Sequence, residues 1–120
     1  MTNYVKDIRT LVGKQRLVTV GATVIIHKAG KVLMQKRVDD GTWDHHGGCV
    51  EMGERVEDAV RRELTEETGL VANKLELFGV YSGEELFHTY PDGNEVAFVI
   101  IYWLCDDFSG ELKPQTAENI

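Results

Sequence analysis

The sequence predicts an α+β fold, a mixed β-sheet with helices packed on it. Runs rich in β-branched and aromatic residues recur from Arg16 to Cys105. Several of these runs are joined by short turns into hairpins. Helical periodicity is confined to two segments. At 120 residues the chain is one domain's worth, enough for a single modest core. Its 42% hydrophobic and 28% charged residues are those of an ordinary globular protein. No repeat, low-complexity tract or internal linker divides it, so a single domain over residues 1–120 is expected.

The first helix is expected in NYVKDIRTLVG. Val5, Ile8, Leu11 and Val12 recur at helical spacing, Asn3 can cap the start and Gly13 can end it. RLVTVGATVIIH, dense in β-branched residues, is a strand. KAGK is a turn and KVLMQKRV alternates as a second strand, so the two form a hairpin. DDGT turns the chain again, residues 43–46 are short and extended, and a glycine-rich loop follows. Residues 55–68 return to a helical pattern, with Gly69 placed as C-terminal cap. KLELFGVYSG is a further strand. ELFHTY and EVAFVIIYWLC are two more around the turn PDGN, and the tail from Asp106 is polar.

Charge narrows the function classes. The net charge is −7 and no basic patch is present, which argues against a binder of nucleic acid polymers. MTNYVKDIRT lacks the apolar core of a signal peptide, and the longest apolar run is too short to span a bilayer. No membrane partner and a cytoplasmic location are therefore expected. Cys49 and Cys105 are too few for a disulfide framework, and Cys105, inside an apolar run, is expected to be a small buried residue. The acids are concentrated. Between Gly48 and Leu70, seven carboxylates face three arginines. Such a segment is a solvated face or a site for hard cations.

Glu63, Glu66 and Glu67 stand at i, i+3 and i+4, on one side of the 55–68 helix. Clusters of carboxylates bind Mg²⁺ or Mn²⁺, which keep several waters and contact substrate phosphates. Alone, the triad reads equally as a charged solvent face. Upstream, Gly47 and Gly48 permit a sharp turn with close backbone approach, and Gly53 permits a second bend before Glu54. The loop can then return Glu54, and backbone carbonyls near Gly48, to the helix carboxylates. Arg62 can pair with a loop glutamate and orient it, while Val60 and Leu64 anchor the helix to the sheet. Glu51 and Glu57 are expected to be solvated. A competing reading makes WDHHGGC a zinc site. In an extended stretch, however, His45 and His46 point to opposite faces, and no second cluster completes a tetrahedral set with Cys49.

Residues 48–70, GCVEMGERVEDAVRRELTEETGL, resemble the signature of the Nudix (MutT-type) hydrolase family, G-x5-E-x7-R-E-U-x-E-E-x-G-U with U a bulky aliphatic. Gly48, Glu54, Arg62, Glu63, Leu64, Glu66, Glu67, Gly69 and Leu70 match. Seven of these are fixed residues, so a chance match at a given start is on the order of 10⁻⁹. The resemblance implies an α/β/α sandwich and a divalent-metal-dependent pyrophosphohydrolase acting on a nucleoside diphosphate linked to a moiety X. It implies Mg²⁺, with Mn²⁺ an alternative, held by Glu66 and Glu67, then Glu63 and Glu54, with the Gly48 carbonyl as a further ligand. Arg62 takes an orienting role. The general base is a glutamate of the box, Glu63 or Glu66, or a later one at the position of Glu118. His46 is assigned to the substrate. Trp43 and Tyr90 are candidates to stack on a base, with sheet core as the alternative for each.

The chain departs from the family pattern at His45 and His46 and, toward Ile120, at the further strand and C-terminal helix the family would add. A second copy of the chain is then a possible partner to cover the sheet. Cues to X outside the signature are not met cleanly, since Glu85, Leu86, Phe87 and His88 occupy the informative positions. The alternative to a hydrolase is a catalytically silent Nudix domain that binds and senses a nucleotide; retention of every signature residue favours the enzyme. A Nudix-fold isomerase departs from the signature, and this chain does not.

Overall fold

The computed structural model describes residues 4–36 and 41–113. Its elements are α1 (Tyr4–Val12), β1 (Leu17–Lys28), β2 (Lys31–Val32), β3 (Gln35–Lys36), β4 (Trp43–Asp44), β5 (His46–Cys49), α2 (Val56–Thr68), β6 (Val71–Ala72), β7 (Glu76–Tyr81), β8 (Phe87–Thr89), β9 (Glu95–Cys105) and β10 (Phe108–Ser109). The two longest strands, β1 and β9, lie side by side in parallel, from Leu17 against Val96 to Ile26 against Cys105. Their β-branched and aromatic residues suit a pleated, largely covered surface. Antiparallel pairing adds β2 and β5 to β1, and β7 and β8 to β9, giving a mixed six-stranded sheet. The expected α+β class holds, and among the described residues α2 is the helix that covers a sheet face.

Strand alternation divides the sheet into two working faces. Ala22, Val24 and Ile26 of β1 turn toward α2 and pack with Ala59, Val60 and Leu64, and Leu70, Ala72 and Cys105 complete the core. Full burial of Leu64 and Val60 contributes about 1.5–3 kcal/mol each. The helix stops where Gly69 adopts φ 80° and its N–H closes onto the Thr65 carbonyl, as its position in the sequence predicts. Thr19, Gly21, Thr23 and Ile25 point to the other face, in line with Phe98, Ile100 and Tyr102 of β9.

Three elements differ from expectation. KVLMQKRV does not form one hairpin strand. Among its described residues, Lys31–Val32 pairs with β1, and Gln35–Lys36 leaves it and pairs with Asp44 and Trp43. The polar tail from Asp106 contains β10, which pairs with β6 just after α2. α1 forms and ends at Gly13 (φ 67°), but none of its residues is buried. It is tied by its ends instead. Tyr4 N–H donates to Glu51 Oε1 at 2.7 Å, and Arg9 donates to the carbonyls of Gln15 and Glu95. Glu51 is thus a tether rather than a solvated charge. Asn3, the expected cap, lies outside the described residues.

Candidate active site

β5 brings the glycine-rich loop against β1, with Gly48 opposite Ala22, Gly47 opposite Thr23 and His46 opposite Val24. Neither glycine could carry a side chain unchanged. A Cβ on Gly47 would lie 2.2 Å from the Ala22 carbonyl oxygen, and one on Gly48 would lie 2.5 Å from the carboxyl carbon of Glu63. Gly53, with φ 80°, turns the chain back so that Glu54 meets the helix. There Arg62 joins loop and helix. Its Nε donates to Glu54 Oε2 at 2.8 Å, and Nη2 donates to Glu54 Oε1 at 3.1 Å and to the Cys49 carbonyl at 3.2 Å. Its Nη1 donates to Glu63 Oε1 at 2.7 Å. A planar guanidinium can serve this many acceptors at fixed angles, and a lysine cannot.

The three helix carboxylates are not presented alike. Glu67 follows Val60 by seven residues and Leu64 by three, so it lies on the buried stripe and is 7% exposed. Its Oε1 sits 3.2 Å from His46 Nδ1, itself buried. Glu63 is largely covered, and Glu66 stands half in solvent, 3.5 Å from Arg62 Nη1. Burial, reinforced by a hydrogen bond with Glu67 and opposed by Arg62, pushes Glu63 up to about 7. The Arg62 hydrogen bond holds Glu54 below its ordinary value, and the two glutamates raise that of Arg62 in turn. Burial raises the Cys49 thiol, so it is no ready thiolate ligand.

On the opposite face of β5 lies a cleft of about 450 Å³, floored by Gly21, Thr23, Phe98 and Ile100 and walled by the 85–90 segment. Strand alternation places His45 here and His46 under α2. This corrects the assignment of His46 to the substrate: its side chain faces Glu67, and His45 is the histidine lining the cleft. Burial depresses the His45 value, which disfavours the charged ring. Tyr90 also lines the cleft, with His88 edge-on at 4.5 Å. Trp43 does not. It is 63% exposed on β4, outside the cleft lining and outside the core. Glu118 lies outside the described residues. Gln35 and Asp44 line the cleft without having been singled out beforehand. The available signal was a glutamine directly after the apolar stretch Val32–Met34.

Among the described residues no three ligating side chains already converge on one metal-sized point. The donor chemistry still suits a hard cation. Glu63 shares Arg62 with Glu54 on one side and hydrogen-bonds with Glu67 on the other, so hard carboxylate donors neighbour one another there, and the missing Cβ of Gly48 leaves the approach to Glu63 open.

Comparison with known proteins places this arrangement. The chain is 42% identical over 92 residues to an ADP-ribose pyrophosphatase of Methanocaldococcus jannaschii, covering 74% of this chain and 51% of that protein. It is 38% identical over 89 residues to a nucleoside triphosphatase NudI of Escherichia fergusonii, covering 68% of this chain and 62% of that one. It therefore spans about half to three fifths of the length of these relatives. A crystal structure of a MutT NUDIX hydrolase from Burkholderia pseudomallei superposes with TM-score 0.67 at 31% identity, over 80% of this chain and 72% of that one. A MutT protein from Bacillus halodurans gives TM-score 0.68 at 27% identity, over 83% and 63%. The NUDIX domain family model matches residues 15–120, which takes in every strand from β1 to β10 and the whole signature helix. On that extent of agreement, the chain belongs to the Nudix family.

Proposed function

We propose that the protein is a divalent-metal-dependent pyrophosphohydrolase that cleaves the P–O–P link of a nucleoside diphosphate bearing a further moiety X. Nucleoside triphosphates, nucleotide sugars and ADP-ribose-like compounds are the candidate substrates. The observation that carries this reading is the charge around the cleft. Its described lining contains the carboxylates Asp44 and Glu85 and no lysine or arginine, and it adjoins the Glu63 cluster at Gly48. A pyrophosphate can lie at the Gly48 edge of the cleft, beside the Glu63 carboxylate, only if cations offset the repulsion. Names of relatives, an ADP-ribose pyrophosphatase and a nucleoside triphosphatase, support the substrate class.

Bound among Glu54, Glu63, Glu66, Glu67 and the Gly48 carbonyl, Mg²⁺ or Mn²⁺ supplies charge neutralisation and lowers the pKa of the attacking water. Arg62 holds Glu54 and Glu63 in register, so neither carboxylate must be ordered when substrate arrives. Exposure and the long 3.5 Å separation from Arg62 support Glu66 as the carboxylate that accepts a proton from water. His46 keeps Glu67 from swinging out of the helix face. Two free thiols and a small nucleotide substrate accord with a reducing cytoplasm.

The test is a panel of ADP-ribose, nucleoside triphosphates, dinucleoside polyphosphates and nucleotide sugars with Mg²⁺, run beside Glu66→Gln. Release of phosphate or nucleoside monophosphate from at least one compound is expected, with a fall of tenfold or more in the variant. Equal rates for both proteins would sink the proposal. Nucleotide binding without turnover would favour the sensing alternative.

A further inference from the structure

We infer that the cleft selects nucleotides whose base carries, on its pairing edge, an exocyclic amine beside an unprotonated ring nitrogen, adenine or cytosine, and that Gln35 reads the amine. This rests on the hydrolase reading above and names the substrate class for it.

Gln35 is 6% exposed, and its Nε2 donates to the His45 carbonyl at 3.3 Å. A carbonyl can only accept, so the amide nitrogen must face it. Oε1 is thereby left as a buried acceptor, and among the described residues it has no partner. Two further buried atoms in the same lining also lack partners, His45 Nδ1 and His88 Nε2. Buried polar atoms in folded proteins are overwhelmingly hydrogen-bonded. Three orphans around one cavity of about 450 Å³ mark where a ligand's polar atoms belong.

The chemistry of the wall says which atoms. Gln35 Oε1 accepts, and Asp44 and Glu85 add acceptors nearby, so the wall favours an uncharged group rich in N–H donors and opposes a phosphate. An imidazole nitrogen can donate or accept according to the ring's tautomer. Phe98 and Ile100 form an apolar floor suited to a flat ring. Adenine and cytosine present an amine as donor and an adjacent ring nitrogen as acceptor. The amine fits Gln35 Oε1, and the ring nitrogen fits an imidazole N–H. Hypoxanthine and uracil put a carbonyl oxygen where the amine stood, oxygen against oxygen, and leave Gln35 unsatisfied.

The test uses matched pairs on the whole chain. Hydrolysis of ATP against ITP and of CTP against UTP is measured with Mg²⁺, together with binding of AMP, IMP, CMP and UMP by calorimetry. The amino member should lead its oxo partner by about tenfold or more in kcat/KM and in Kd. Gln35→Met, whose thioether is only a weak acceptor, should bring that ratio close to one. A wild-type ratio near one with hydrolysis intact overturns the inference and leaves the hydrolase reading standing. A clear AMP preference with no hydrolysis of any compound does the reverse. A preference that survives Gln35→Met overturns the role of Gln35.

Discussion

Two adjacent alanine substitutions should separate stability from catalysis. At Gly47 the added Cβ would meet main chain: the Ala22 oxygen at 2.2 Å and Thr23 Cα at 2.8 Å. Real Cβ atoms essentially never come within 3.0 Å of such neighbours. Neither atom can rotate away, so β5 would have to separate from β1, and β1 is the strand that carries Ala22, Val24 and Ile26 into the core. Overpacking costs about 1–3 kcal/mol when side chains can adjust. With the main chain of β1 as the obstacle, Gly47→Ala should cost about 3 kcal/mol or more, roughly 10–15 °C in Tm for a domain of this size. At Gly48 the obstacle is the Glu63 carboxylate, with contacts of 2.5 to 2.9 Å to the end of a side chain that can turn. Gly48→Ala should therefore cost less than about 1.5 kcal/mol. It should displace Glu63 from Arg62, however, and lower Mg²⁺-dependent hydrolysis by tenfold or more. The assay is thermal unfolding by circular dichroism beside turnover of the best panel substrate. If Gly47→Ala melts within about 2 °C of wild type, or the two variants lose equal stability, the close-approach argument is wrong.

Arg62→Lys keeps the charge but cannot bridge Glu54, Glu63 and the Cys49 carbonyl; a loss of about 1–3 kcal/mol in chemical denaturation and of about a hundredfold in turnover is expected. Unchanged turnover would remove Arg62 from the positioning role. Glu63 is raised from 4.5 to about 7, so the folded state holds a proton that the unfolded chain releases, and this contribution is whole below pH 4.5 and lost as pH climbs through 7. In chelator, wild-type Tm should accordingly fall relative to Glu63→Gln between pH 5 and 7.5, and a constant difference would contradict it. His46→Ala removes the neighbour of a 7%-exposed carboxylate and should destabilise by about 2–3 kcal/mol, measured by urea midpoint; a surface-like change under 0.5 kcal/mol would refute the buried pair. Leu64→Ala, at a fully buried position, should cost about 2–5 kcal/mol in the same assay, and a smaller loss would mean that α2 is not the core helix.

Residues 55–69 were legible because they obey local rules. Periodicity gives the helix, Gly69 gives its end, and one-sided spacing brings Glu63, Glu66 and Glu67 together. The reach from Glu54 to Arg62 was legible too, since Gly53 permits the bend and eight residues set the separation. The opposite orientations of His45 and His46 followed from strand alternation, but which of them met the cleft did not. That depends on which side of β5 the helix packs, and no local rule states it. The same is true of Glu67. Its place on the Val60–Leu64 stripe can be read from spacing, but its pairing with His46 depends on the register Val24–His46.

The sequence by itself determined the signature cluster, because it lies within 23 consecutive residues and its geometry is short-range. Only the tertiary structure decided what that cluster faces. The cleft joins β1, β5, β9 and the 85–90 segment with Gln35, which leaves its expected hairpin to pair beside Asp44. Those pieces come from across the chain, and long-range strand pairing, not local propensity, sets them side by side.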